Sequence, residues 1–395
     1  MDLGTNDSQH DDHQRTIHFP VELYERMMGN FNPRRPGDRN VLVNCCLTCK
    51  SWLPYARWCL YSLVVIAEFQ KPSCLLLINS LRRSSFLANL VLRLESTFPP
   101  LKGDSNAGAY HTVLQQVATL MRRLQELTLR GLPQLHPSTI PLLSSLRFQT
   151  VTILKLVDTT FHSFQAFRQF ISAFPQLDVL ILKQVDWLSQ YVGTSLRSSN
   201  PKKNTLALSS FELWVKSELI VDIITRWIFT TPSVLSLRRI TISQYPDKSG
   251  RVDWHRCEPL LRGCRNVEIL EIRNCRYPWS HELLSLSSDV IPSVRDIIFH
   301  GVSEDSIPSL CAVLSRGISP KLTTIRIYIL ERSQPTSIDW KLLDETLSLS
   351  ILSHLQNVYV AYSFDKLPFR YFCAVLPSAA AKGLLKMLPW GRILN

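Results

Sequence analysis

Phe19-Pro20-Val21-Glu22-Leu23-Tyr24-Glu25-Arg26-Met27-Met28 opens, and Cys45-Cys46-Leu47-Thr48-Cys49-Lys50-Ser51-Trp52-Leu53-Pro54 closes, a segment whose residue order says more than an apolar core requires. Pro20 suits a first helical turn, where its missing N–H would have no partner, and Glu22 and Glu25 complement the positive end of the helix dipole. Phe19, Leu23 and Met27 recur at i, i+4, i+8, while Tyr24, Met28 and Phe31 add a second apolar flank. Such a helix needs two partners. Asn32-Pro33-Arg34-Arg35-Pro36-Gly37 breaks it, Asp38 or Asn40 is placed to cap a second helix through Val41, Leu42, Cys45 and Cys46, and a third is predicted from about Ser51 to Leu60 with Trp52 as anchor. Three helices in about 45 residues bury little of their own surface, so docking is expected.

Phe19-Pro20-Val21-Glu22-Leu23 followed by Thr48-Cys49-Lys50-Ser51-Trp52 resembles the F-box pattern, Leu-Pro-x-Glu-Leu and then Val-Cys-Arg-x-Trp after a short helix and a turn. The extension Trp52 to Tyr61 looks like the version found in large fungal F-box families. The sequence departs from the pattern in having Phe19 for Leu, Thr48 for Val and a longer loop from Asn32 to Asn40. The resemblance implies docking on a Skp-type adaptor held by a cullin-RING scaffold. It points to Phe19, Pro20, Leu23, Met27 and Trp52 as the adaptor-binding set, with Pro20 and Leu23 at the adaptor surface and Trp52 holding the helices together.

From residue 111 onward a second pattern repeats. Helical stretches lead into short segments of the form Leu-x-x-Leu-x-Leu, with starts at Leu124, Val151, Leu177, Leu208, Leu237, Val267, Val294, Leu322 and Leu355. Successive starts differ by 27, 26, 31, 29, 30, 27, 28 and 33 residues. That regularity is better evidence than the matches themselves, because in a chain with 45% apolar residues such triplets also arise by chance. Between the segments, Phe164, Phe167, Phe170, Ile171 and Phe174 have helical spacing, as do Leu219 to Trp227 and Ile307 to Leu314.

In each unit the fourth and sixth residues of a short strand face inward, the first packs beneath them, and a helix returns the chain on the outside. The fold class expected is therefore α/β: an N-terminal three-helix F-box followed by an irregular solenoid resembling leucine-rich repeats, with parallel strands on one face and helices on the other. The ninth position, where that family prefers Asn or Cys to satisfy turn backbone groups, is Cys only at Cys275 and otherwise residues such as Leu132, Thr159, Val185, Lys216, Tyr245 and Val302. Regular tight turns are not expected.

Positions three, five and seven of each strand would line the opposite face. They place Arg130, Lys155, Lys183, Trp214, Arg239, Arg273, His300, Arg326, Tyr328 and Tyr359 there, with Glu126, Glu212, Glu271 and Asp296 as the acidic minority. Basic and aromatic groups prevail, which suits a protein substrate of acidic or amphipathic character.

Composition sets the outer bounds. The 395 residues carry a net charge of +12, while residues 1 to 65 hold seven basic and seven acidic side chains, so the excess lies beyond them. Lys202-Lys203 lacks the interleaved aromatics of a nucleic-acid stacking platform, so nucleic acid is not the expected partner. No apolar run reaches the length of a membrane span, and the polar start of the chain does not read as a signal peptide, which predicts an intracellular protein, cytoplasmic or nuclear, with its 10 Cys as reduced thiols.

His10 and His13 among aspartates read as a solvated tail, and Cys46-x-x-Cys49 has no second pair, so no metal and no cofactor is expected. Nucleophile elbows, phosphate loops, dinucleotide fingerprints and zinc-protease helices are missing, and nothing proposes an enzyme.

The organisation read from the sequence is a disordered tail at 1–16, the F-box at 17–63, a connecting and capping region at 64–123, the solenoid at 124–365, and a C-terminal cap at 366–395 with a helical run from Ala379 to Leu388. The function it implies is substrate recognition in an SCF-type ubiquitin ligase. A repeat scaffold for protein-protein interaction unrelated to ubiquitin, and a basic nucleic-acid-binding solenoid, remain as alternatives.

Overall fold

The computed structural model describes residues 21–66, 72–98, 115–117, 119–132, 148–188, 206–215, 218–244, 257–273, 275, 290–330, 334–362 and 367–386. The chain divides into two compact units, residues 1–63 and 64–395.

In the first unit, helix α1 spans Val21–Gly29, α2 Pro36–Thr48 and α3 Leu53–Ser62. Tyr24 and Met28 from α1, Leu42 and Cys45 from α2, and Ala56 and Cys59 from α3 form a small core, against which Phe31, Trp52 and Tyr55 pack. Helix α2 starts earlier than its expected caps: Pro36 stands in the first turn, with Arg35 before it making no side-chain cap. The reason is that proline presets the helical φ and gives up no N–H there. Asp38 is used elsewhere, accepting a 2.9 Å hydrogen bond from the Asn32 backbone N–H and thereby tightening the loop. Trp52 sits immediately before α3 rather than inside it, with its ring 5.8 Å from that of Tyr24.

The second unit is built on strands β1 (Leu63–Ile66), β2 (Arg93–Thr97), β3 (Glu126–Arg130), β4 (Ile153–Val157), β5 (Thr160–Phe161), β6 (Val179–Lys183), β7 (Asp186–Trp187), β8 (Ser210–Val215), β9 (Arg239–Gln244), β10 (Ile269–Arg273), β11 (Asp296–Val302), β12 (Thr324–Ile329), β13 (Asn357–Tyr362) and β14 (Leu385–Lys386). Twelve of them form one sheet in strict chain order, with β5 and β7 paired separately. Every pairing from β2 to β14 is parallel. This is a repeat solenoid. All nine segments expected from the sequence are strands, each beginning at the third position of its unit.

The fourth and sixth residues are buried in every one of the first eight units, as Leu127 and Leu129 illustrate, and in the ninth Val358 is buried while Val360 is partly so. Helices cover that side: α4 (Pro72–Arg83) and α5 (Ser85–Leu90) lie between β1 and β2, while α6 (Phe164–Ile171), α7 (Glu218–Phe229) and α10 (Ile307–Ser315) occupy the three stretches whose spacing predicted them, and the Ser163 hydroxyl caps α6 by accepting from the Ala166 N–H. Short helices α8 (Ser233–Ser236) and α9 (Glu258–Gly263), then α11 (Trp340–Leu347), fall between later strands. An aromatic cluster fills one stretch of the layer, with Phe167 5.3 Å from Trp227 and 5.4 Å from Phe161.

Three features differ from the sequence reading. The sheet begins before residue 124, because β1 and β2 lie in the region expected to be connection and cap. Strand β2 escaped the pattern because its sixth position is Ser96, a buried polar residue where the other units have Leu, Ile, Val or Phe. At the other end the run expected as one helix splits: after α12 (Phe369–Val375), α13 covers only Pro377–Ala381, Gly383 turns the chain at φ +66°, and β14 follows. Asp344 of α11 holds that end in place, its carboxylate accepting from the N–H groups of Ser378 and Ala379 at 3.0 and 2.9 Å.

The turns are the third difference. Among the described residues, position eight is left-handed in four units: Gly131 (φ 63°), Asp158 (φ 51°), Gln184 (φ 54°) and Gly301 (φ 75°). This turns the ninth residue of those four units inward, so Leu132, Thr159, Val185 and Val302 are buried. In these four units a recurrent turn thus forms with neither Asn nor Cys at position nine.

At Gly131 an added Cβ would lie 2.7 Å from the Phe98 carbonyl oxygen. Gly131→Ala is therefore expected to cost about 1–3 kcal/mol, from a left-handed non-glycine residue plus a backbone clash. Denaturant unfolding of the full chain checks this; a change below about 0.5 kcal/mol would contradict the turn geometry.

Candidate functional site

Two surfaces are candidates. The first is the outward side of the three-helix unit. Because α1 turns Tyr24 and Met28 into the core, the other apolar flank faces out: Leu23 is 51% and Met27 55% exposed. On α2 the pair Val43 and Leu47 is exposed in the same i, i+4 arrangement. Of the sequence-derived adaptor set, Leu23 and Met27 share one exposed helix face, while Trp52 packs against the core. Phe19 and Pro20 lie outside the described residues.

The second surface is the sheet face away from the helices. Parallel pairing without slippage from β2 to β10 aligns the third, fifth and seventh positions into rows, and a shift at Gly301 follows His300. All ten sequence-derived face residues stand in these rows, on strands β3 to β13. The rows also bring in Glu95, which the sequence reading missed along with its strand.

Here the charge count misled. Every lysine and arginine of the set has a carboxylate partner from a nearby strand: Arg130 with Glu95 (2.8 Å), Lys155 with Glu126 (2.6 Å), Lys183 with Glu212 (3.1 Å), Arg239 with Glu271 (2.6 Å) and Arg326 with Asp296 (3.1 Å). Arg273 bridges two, meeting Glu271 at 2.6 Å and Glu212 at 3.3 Å. The face is ion-paired along its length rather than openly basic.

Glu271 is the centre of the network, with only 1% of its surface exposed. Its carboxylate accepts from Arg239, Arg273 and the Thr241 hydroxyl, and the His300 Nε2 lies 3.0 Å away. Burial alone would raise its pKa, but hydrogen bonds from His300 and Arg239 and the charge of Arg273 outweigh this and hold it well below the usual carboxylate range. His300 in turn stacks on Tyr328, with ring centroids 4.4 Å apart.

Across β9, the small buried Ser243 lets Arg273 reach Glu212 two strands away. Trp214 fills the same region, with Lys183 Nζ 4.2 Å and Arg273 Cζ 5.2 Å from its ring centre. Arg326 similarly approaches the Tyr359 ring at 5.7 Å. The arrangement is a polar and aromatic surface cross-linked by ion pairs, and among its described residues no nucleophile is held by a base.

The cysteines do not gather into a ligand set, and no group of three or more His, Cys, Asp or Glu among the described residues could hold a metal ion. Burial pushes the Cys59 and Cys311 thiols up to about 11 and Cys264 up to about 12. Cys49 differs: the Ser51 hydroxyl lies 2.9 Å from its sulfur, and hydrogen bonding from Ser51 lowers its thiol pKa. No described helix is long and apolar enough to cross a membrane.

No family model matches the chain, and no curated protein does. Among solved structures, it is similar to the leucine-rich repeat-containing protein LegL7 from Legionella pneumophila, with 13% identity over 81% of this chain and 98% of that one and a TM-score of 0.43.

Two measurements test this geometry. Glu271→Gln leaves Arg239 and Arg273 without their buried counter-charge and should destabilise the second unit by about 3–5 kcal/mol at pH 7. Because the folded pKa of Glu271 is depressed, its contribution is present above the unfolded carboxylate value, near 4.3, and is lost as pH falls through the folded value. The stability gap between wild type and variant, measured by urea unfolding, should therefore stay wide from pH 7 to about 5 and narrow under stronger acid; a gap that widens would refute the network. In thiol titration with a disulfide reagent, Cys49 should react first, and Cys49→Ser should remove the fast phase.

Proposed function

We propose that this chain is the substrate-recognition subunit of an SCF-type ubiquitin ligase. The three-helix unit docks on a Skp-type adaptor, itself held by a cullin-RING scaffold, and the repeat face captures the protein to be ubiquitinated. The chain is then non-catalytic, the transfer chemistry belonging to its partner subunits.

The observation that carries this reading is the division of α1. A helix in so small a unit that buries Tyr24 and Met28 yet leaves Leu23 and Met27 in solvent has a second apolar face to cover. Those two are among the residues that the F-box resemblance assigns to the adaptor interface. The sheet face adds the other half: rows of charged and aromatic groups held in fixed rotamers by lateral ion pairs offer a preorganised surface for a protein partner.

The test is co-expression and co-purification with a Skp-type adaptor, comparing wild type with Leu23→Ala/Met27→Ala. Both side chains are exposed, so the variant should keep its helical signal and melting temperature. If each contributes about 1 kcal/mol or more as an interface anchor, the pair should weaken adaptor binding at least roughly thirtyfold. A well-folded wild-type chain that forms no stoichiometric adaptor complex would remove the ubiquitin link and leave a repeat scaffold for protein-protein interaction.

A further inference from the structure

With the face cations neutralised, the chain's surplus positive charge must find expression elsewhere. At the edge of the sheet where the strands begin, a groove of about 550 Å³ is lined by Arg295, Lys321, Thr323, Ser353, His354 and Gln356, with Pro320 and Leu355 at its walls. No Asp or Glu lines it. Arg295 and Lys321 are exposed, and neither has a carboxylate within ion-pair distance among the described residues, whereas Arg238, one unit before Glu268 on the same edge, meets that residue at 3.4 Å.

The groove is built by register. The backbone N–H groups of Arg295 donate to the Glu268 carbonyl, of Thr323 to the Arg295 carbonyl, and of Gln356 to the Thr323 carbonyl, so three consecutive repeats each place one rung on this edge. Lys321 and His354 stand two residues ahead of their rungs. Neighbouring strands lie about 4.8 Å apart, so the three rungs span roughly 10 Å, and an extended peptide presents same-side side chains about every 7 Å. Two acidic side chains at i and i+2 fit that span.

We infer that this edge groove binds an extended acidic peptide segment of a partner protein, Arg295 and Lys321 meeting its carboxylates and Thr323, Ser353 and Gln356 its polar backbone. Nucleic acid, the other common polyanion, is disfavoured because no Phe, Tyr or Trp lines the groove to stack a base. The inference does not depend on adaptor docking by the helical unit, and the site is distinct from the ion-paired face.

Fluorescence anisotropy of a labelled octaglutamate peptide with the full chain tests it, using R295E/K321E against R122E/R123E, which makes the same charge change at exposed residues of an earlier repeat. The expected result is at least tenfold weaker binding for R295E/K321E and less than twofold for R122E/R123E, with both variants melting like wild type. Equal losses would mean that only net charge is read, and would overturn the site. No loss in either, with R295E/K321E alone melting lower, would assign the two cations to the carbonyl ends of α10 and α11 and equally overturn it. A labelled dT8 oligonucleotide that binds more tightly than the peptide, and is lost in R295E/K321E, would replace the peptide by nucleic acid.

Discussion

The lateral register of the parallel sheet is the constraint on which the second unit depends. Each strand lends its backbone groups to the next at the same position, so residue three of one repeat lies beside residue three of its neighbour through most of the array. A slip of one residue would exchange the buried fourth and sixth positions for the charged third, fifth and seventh. The apolar residues therefore enforce the register, and the register in turn places the ion pairs. Neither layer is independent of the other.

That coupling accounts for how much polarity the face sustains. An exposed ion pair contributes little, about 0–1 kcal/mol, and a buried one strongly penalises the loss of a partner. Glu271 sits at the second extreme, with acceptors met by Arg239, Arg273 and Thr241, while Lys155 with Glu126 lies nearer the first. The side chains in the middle of the face are consequently the most dependent on one another.

The helical unit follows the opposite logic. Its core is a handful of residues around Tyr24, Met28 and Leu42, while Leu23 with Met27 and Val43 with Leu47 face solvent in i, i+4 pairs. Small size limits what it can bury by itself. The repeat array, by contrast, gains buried surface with each added unit and needs cover only at its ends, where β14 and the Asp344-capped helix close one of them.

Sequence alone determined the elements. Apolar residues at positions one, four and six, recurring every 26 to 33 residues with helical spacing between them, located nine of the strands, because side-chain alternation is a local property of the chain. The inward and outward flanks of α1 were legible for the same reason. Strand β2 was not, since Ser96 carries no apolar signal, and the left-handed residue at position eight left a trace only where it is Gly131 or Gly301. What tertiary structure decided was pairing. Arg273 meets Glu212 from 61 residues away, and Arg295, Lys321 and His354 share one groove, because loops of different lengths are closed by a common hydrogen-bond register. No local pattern encodes those neighbours: they arise from the stacking of whole repeats.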